Sequence, residues 1–203
     1  MTAAKSLSHN DIIARLDELP TLPTIVHELS RVISDPMSST NEVEKIMQND
    51  QSLTTKVLKL VNSAYYAIPG GVRSLSRAIA FLGYDTVHQL VLSASILKAL
   101  KNENDQDFNL NEFWKHSLGV AIASETVAKK IRHPMPSDLF TSGLIHDMGK
   151  VAHYNLSPET FLQVAEVARD QNIRILEAEM QLEMPRHTDV GFALAEKWKL
   201  PVT

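Results

Sequence analysis

Apolar residues recur along this chain at intervals of three and four, the period of an amphipathic helix. Val43, Ile46 and Met47 share one face, and Leu53, Val57, Leu60 and Val61 share another. Leu75, Ala78, Ile79 and Leu82 repeat the pattern, and Gly83 follows where a helix C-terminus favours glycine. From Tyr84 to Lys101 the sequence is apolar nearly all round, which predicts a helix enclosed by its neighbours. A further helix is predicted from about Leu110 to Arg132. The polar punctuation agrees. Ser8 precedes Asp11 by three residues and Ser39 precedes Glu42 by three, the spacing of a capping box. Ser157-Pro158-Glu159 reads as N-cap, N1 proline and acidic first turn. Leu19-Pro20-Thr21-Leu22-Pro23 leads stiffly into a helix at Thr24, which Asp35-Pro36 ends. No alternating run of five residues bounded by turn signals exists, so the predicted fold is all-α, a multi-helix bundle.

Two stretches interrupt the helical pattern. Asn102-Glu103-Asn104-Asp105-Gln106-Asp107 is polar and without period, and His133-Pro134-Met135-Pro136 forces two residues out of the α region. The expectation is a single domain, residues 1–203, made of two packed helical lobes, about 1–105 and 106–203. The chain shows no internal repeat.

Composition narrows the functions available. Seven glycines in 203 residues is about half the usual share, which fits helices better than hairpins. The absence of cysteine excludes disulfides, thiolate metal sites and cysteine nucleophiles. The net charge of −4 disfavours a broad nucleic-acid-binding face, although Lys56, Lys59, Arg73 and Arg77 offer a local basic alternative. No 18-residue apolar run and no signal-peptide pattern are visible, so no membrane association and a cytoplasmic location are expected.

Candidate chemistry concentrates in the second half. In the first half, Asn62, Ser63, Tyr65 and Arg73 either line a docking surface or simply cap a helix and pack an edge. In the second, Glu112 and His116 are four apart, on one helix face, with Gly119 and Ala123 continuing the stripe and leaving room beside the imidazole. Gly143-Leu144-Ile145-His146-Asp147-Met148-Gly149-Lys150 holds an adjacent His and Asp with a lysine, and Arg186-His187-Thr188-Asp189 opens the last helix. Imidazole and carboxylate donors drawn from several helices can hold a divalent transition metal, and a nearby lysine can hold a phosphate. His88, His133 and His153 read as surface or boundary histidines, and Asp189 as a solvated first-turn carboxylate.

Asp35-Pro36, Asn62-Ser63-Ala64, Ala78-Ile79-Ala80-Phe81-Leu82-Gly83, the Gly143–Lys150 block, His187 with Gly191, and Trp198 with Leu200-Pro201 together resemble an HDOD domain. HDOD domains are relatives of the HD and HD-GYP metal-dependent phosphohydrolases. The resemblance runs from about Leu19 to Pro201 and implies an all-helical signalling module of bacteria with an HD-like C-terminal lobe. It implies metal ligands at Glu112, His116, His146, Asp147 and His187, and a phosphate contact at Lys150. The paired histidines and the GYP loop of active HD-GYP relatives have no counterpart in these 203 residues, and the stop soon after Leu200-Pro201 reads as a truncated piece of a longer protein. The expected role is therefore a non-catalytic regulatory module that binds signalling proteins or a nucleotide-type ligand. The alternative is an HD-type metal-dependent phosphohydrolase acting on a nucleotide or cyclic dinucleotide.

Overall fold

The computed structural model describes residues 9–33, 35, 37–63, 66–100 and 108–200. Ser8, Pro36, Ala64, Tyr65, the 102–107 connection and Pro201 lie outside them. The described residues form helices and connecting turns with no strand, so the fold is all-α. In chain order the helices are α1 (His9–Ala14), α2 (Thr24–Ile33), α3 (Thr40–Gln48), α4 (Gln51–Val61), α5 (Leu75–Leu82) and α6 (Tyr84–Leu100). They continue with α7 (Leu110–Lys130), α8 (Pro136–Ile145), α9 (Met148–Leu156), α10 (Pro158–Asp170), α11 (Ile175–Gln181) and α12 (His187–Lys197). None of them is long and apolar enough to cross a membrane.

The chain forms two compact units that interleave in sequence. One comprises Leu22–Lys101 and Trp114–Leu144, and the other Met1–Thr21, Asn102–Phe113 and Ile145–Thr203. In the Leu22–Lys101 and Trp114–Leu144 unit, the apolar faces predicted for α3, α4 and α5 meet in one core of Val43, Met47, Leu53, Val57, Ala78 and Ile79. The helix α6 runs through this core with Val87, Leu90, Val91 and Ala94 buried, as its nearly uniform hydrophobicity requires. Its buried Ser93 and Ser95 hydroxyls donate to the carbonyls of Gln89 and Val91, so neither is left unsatisfied. The end of α8 crosses α7 closely: a Cβ on Gly143 would lie 2.8 Å from the Ala121 Cα.

Local chemistry sets the helix ends. The Asp50 carboxylate accepts from the Leu53 N–H (3.0 Å) at the start of α4 and pairs with the Lys98 ammonium at 2.6 Å. Burial works against its ionisation, but Lys98 and the Leu53 N–H outweigh this and hold its pKa below the usual carboxylate value. Glu42 accepts from the Ser39 N–H at 2.8 Å, completing that part of the predicted box. Ser157 stands at the N-cap of α10 with Pro158 following, as predicted, yet its hydroxyl pairs with that of Thr160 at 2.6 Å rather than with the backbone. Asn62 caps the C-terminus of α4 and also closes the following loop: its amide donates to the Val72 carbonyl (2.8 Å) and its oxygen accepts from the Val72 N–H (2.7 Å). A surface cavity of about 430 Å³ opens beside that loop, lined by Asn62, Ser63, Ile68 and Arg73 among others.

The second unit is built on α9 and α12, packed side by side. Met148, Val151, Tyr154 and Leu156 on α9 and Val190, Leu194 and Trp198 on or beside α12 are buried. The crossing is so close that a Cβ on Gly149 would lie 1.8 Å from the His187 carbonyl oxygen. Phe108, Tyr154 and Phe161 stack into an aromatic cluster with ring centroids 5.1 to 6.0 Å apart. Lys197 ties the end of α12 to the turn after α1, donating to the Leu16 carbonyl at 2.6 Å and pairing with Asp17 at 2.7 Å.

Candidate metal centre

The break between α8 and α9 falls on His146 and Asp147, the last helical residue before it being Ile145 and the first after it Met148. Consecutive residues on a helix point about 100° apart, so a helix would have separated these two side chains. In the turn they converge, with His146 Nε2 3.2 Å from Asp147 Oδ2. Asp147 is the N-cap residue of α9, where an aspartate normally accepts a backbone N–H. Here its side chain makes no capping bond. The carboxylate is instead given to side chains.

Three groups reach that carboxylate within its unit. Lys150, one turn along α9, places its ammonium 2.6 Å from Oδ2. His146 approaches the same oxygen, and His187, the first residue of α12, brings Nε2 to 3.5 Å from Oδ1. Asp147 is only 6 % exposed, and burial raises the cost of its charge. The hydrogen bonds from His146 and Lys150 more than offset this, and its pKa is held far below the ordinary carboxylate range.

The ring of His187 is fixed from behind. Glu179 on α11, fully buried, lies with Oε2 2.8 Å and Oε1 3.0 Å from Nδ1, and Oε1 also accepts from the His187 N–H at 3.1 Å. Nothing in the local sequence of α11 marks Glu179: it shares the helix with Glu177 and Gln181, and only its burial distinguishes it. His153, read from sequence as a surface or boundary histidine, is fully buried. The reason is that most of α9 is enclosed, with Met148, Val151, Ala152, Tyr154 and Leu156 buried around it. Burial pushes the His153 imidazole down, only partly countered by Glu179, and neither ring nitrogen has a hydrogen-bond partner.

The other sequence-predicted residues are placed as follows. Glu112 stands in the first turn of α7 and His116 one turn later, both exposed. His146 and Asp147 come together within their unit, whereas His116 belongs to the other one. Asp189 pairs with Arg186 at 2.8 Å, and His133 accepts from the Met135 N–H, so both are engaged locally on the surface. His88 is half-buried, and burial lowers its pKa.

The donor set fits a divalent first-row metal. Imidazole and carboxylate are the ligand classes such ions take. Two donors each about 2.0–2.2 Å from one ion stand roughly 2.8–3.6 Å apart in octahedral or tetrahedral geometry. The 3.2 Å of His146 to Asp147 and the 3.5 Å of His187 to Asp147 are both separations of that kind.

The HDOD domain family matches residues 19–203. A solved HDOD domain protein of unknown function from Geobacter sulfurreducens is 29% identical, with a TM-score of 0.76, covering 95% of this chain and 66% of its own. A solved candidate phosphohydrolase from Shewanella amazonensis SB2B is 26% identical, with a TM-score of 0.75, covering 94% of this chain and 67% of its own. An uncharacterized protein of Treponema pallidum (strain Nichols) is 27% identical over 194 residues, 94% of this chain and 37% of that protein. The chain thus spans only about a third of the length of the curated relatives it matches.

Proposed function

This chain belongs to the HDOD domain family, and from that premise we propose that it is a non-catalytic regulatory module of bacterial signalling, working as one domain in the cytoplasm. Its HD-like centre binds a divalent metal ion and, through ligand or protein contact, reports on it. The observation that carries this reading is the disposition of Asp147. Its buried carboxylate is flanked by His146 and His187, and Lys150 spends its ammonium on the same carboxylate at 2.6 Å. A lysine so engaged serves as a counter-charge within the site.

His146, Asp147 and His187 would hold the ion. A bound divalent ion would supply Lewis acidity and a firm grip on an anionic ligand. The chain's own residues do the rest. Asp147 carries the negative charge that attracts the cation, and Lys150 balances that charge when no cation is there. A ligand acts as a signal only if it favours one conformation over another, so the partner or nucleotide-type ligand must bind one state of the module better. The −4 net charge leaves a broad nucleic-acid face disfavoured.

A second reading is a metal-dependent phosphohydrolase, favoured by the presence of a lysine one turn from the ligand carboxylate and by the Shewanella amazonensis neighbour. One experiment separates the two. Purified wild type and His146→Ala are loaded with zinc, manganese or iron, their metal content is measured, and turnover of a generic phosphodiester and a cyclic dinucleotide is followed. Stoichiometric metal in the wild type, its loss in the variant and no metal-dependent turnover are expected. Turnover that needs metal and disappears in His146→Ala overturns the non-catalytic reading, and equal metal content in both proteins overturns the site.

A further inference from the structure

We infer that Glu179 is a positioning residue for the metal centre: it fixes the proton of His187 on Nδ1 and thereby turns the Nε2 lone pair toward Asp147. The inference rests on the metal-centre reading for its purpose, but on the geometry of α11 and α12 for its existence. A histidine ring in water is free to rotate and to carry its proton on either nitrogen. His187 has neither freedom. Both oxygens of Glu179 lie within 3.0 Å of Nδ1, and Oε1 additionally holds the backbone N–H of the same residue at 3.1 Å. A carboxylate is an acceptor only, so the nitrogen it faces must be the one that carries hydrogen.

The consequence appears on the other side of the ring. In the neutral ring, a proton on Nδ1 leaves Nε2 with a lone pair facing Asp147 Oδ1 3.5 Å away, so two acceptors face each other. That juxtaposition is unfavourable by itself and is relieved by a cation lying against both. Glu179 therefore does more than fill space. It is fully buried, and its described partners are both on His187. A buried carboxylate is costly unless its hydrogen bonds are satisfied, and α11 supplies it to no other visible purpose. The arrangement is that of a ligating histidine whose far nitrogen is held by a carboxylate, which raises its basicity and sets its direction. His153, fully buried beside this pair and itself without a partner, leaves the Glu179 oxygens to His187.

The test uses the metal-free protein first. Nitrogen-15 shifts of the His187 ring are read at about pH 8.5, above the ordinary imidazole range near 6.5, in wild type, Glu179→Gln and Glu179→Ala. The wild type should show the Nδ1–H form, Glu179→Gln should keep it because the amide oxygen still accepts, and Glu179→Ala should move toward the Nε2–H form. Any other form in the wild type, or the same form in all three, overturns the inference. Metal titration of the same proteins should then show affinity falling roughly 10- to 100-fold in Glu179→Ala and much less in Glu179→Gln; equal affinity in all three overturns the positioning role. Should Glu179→Ala fail to fold, the wild-type spectrum alone still overturns the inference if it shows the Nε2–H form. A wild type that takes no metal yet shows the Nδ1–H ring defeats the metal reading and leaves the placement of the proton by Glu179 standing.

Discussion

Replacing Gly149 by alanine adds one methyl group at the tightest point of the α9–α12 crossing. Its Cβ would lie 1.8 Å from the His187 carbonyl oxygen and 2.6 Å from the Gly191 nitrogen, both backbone atoms. To reach even 3.0 Å, below which real Cβ contacts are essentially unknown, the two helices must part by about 1.2 Å. Within a helix, glycine to alanine by itself stabilises by about 1 kcal/mol. Overpacking a core costs about 1–3 kcal/mol, and more where rigid backbone is the obstacle. The steric term therefore wins, and a net loss of about 2–3 kcal/mol is expected, or a fall in Tm of roughly 4–12 °C for a chain of this size. Gly191→Ala is the internal control. Its Cβ would meet the Gly149 nitrogen at 3.3 Å and Cα at 3.5 Å, so small adjustments suffice. The helical gain should then nearly balance the crowding, leaving stability within about 1 kcal/mol of wild type. Denaturant and thermal unfolding, followed by circular dichroism and by the fluorescence to which buried Trp198 contributes, measure both. A Gly149→Ala protein as stable as wild type, or a Gly191→Ala protein equally damaged, refutes the proposed packing of α9 on α12.

Two other substitutions probe separate terms. Asp50→Ala removes the cap of α4 and the Lys98 pair, and should lower stability at neutral pH by about 1–2 kcal/mol. Because the folded pKa of Asp50 is depressed, its contribution is present above the unfolded value near 3.9 and is lost as pH falls through the folded one, so the gap between variant and wild type must close in acid; denaturant midpoints at several pH values would show a constant gap if this is wrong. His153→Leu replaces a buried ring whose two nitrogens lack hydrogen-bond partners by an apolar side chain, and should raise the free energy of unfolding by about 1 kcal/mol. A comparable loss instead would mean that the ring has a partner that matters.

The helices were legible because each depends on local rules. The faces of α3, α4 and α5, the glycine after Leu82 and the proline opening α10 are all decided within one or two turns of chain. Gly83 has φ of +82°, as its place after the last periodic residue requires. The conjunction of His146 and Asp147 was visible as letters but not as geometry. A continuous helix would have splayed the pair, and what unites them is a break between α8 and α9 that no glycine or proline announces. The burial of His153 was invisible for a different reason. Its own position carries no unusual pattern; only tertiary packing around most of α9 covers the face on which it lies. Glu179 shows the limit most sharply, since a charged residue on a short helix is read as solvated until tertiary packing covers it.

What makes these unreadable features matter is that they meet on one residue. His187 opens α12, and its backbone N–H, one of those a helix start leaves without an internal partner, is taken by Glu179 Oε1. Its carbonyl oxygen is pressed against Gly149, whose missing side chain sets how near α12 can come to α9. Its ring is held at Nδ1 by the same glutamate, and its Nε2 faces Asp147. Donor, carbonyl and ring are thus fixed by four contacts, from Glu179, Gly149 and Asp147. Asp147 belongs to the N-terminus of the same α9 that carries Gly149 two residues on, so the close crossing and the ligand spacing are one geometric fact. The glycine in the His146–Lys150 stretch is therefore part of the centre's construction, although it offers no donor atom.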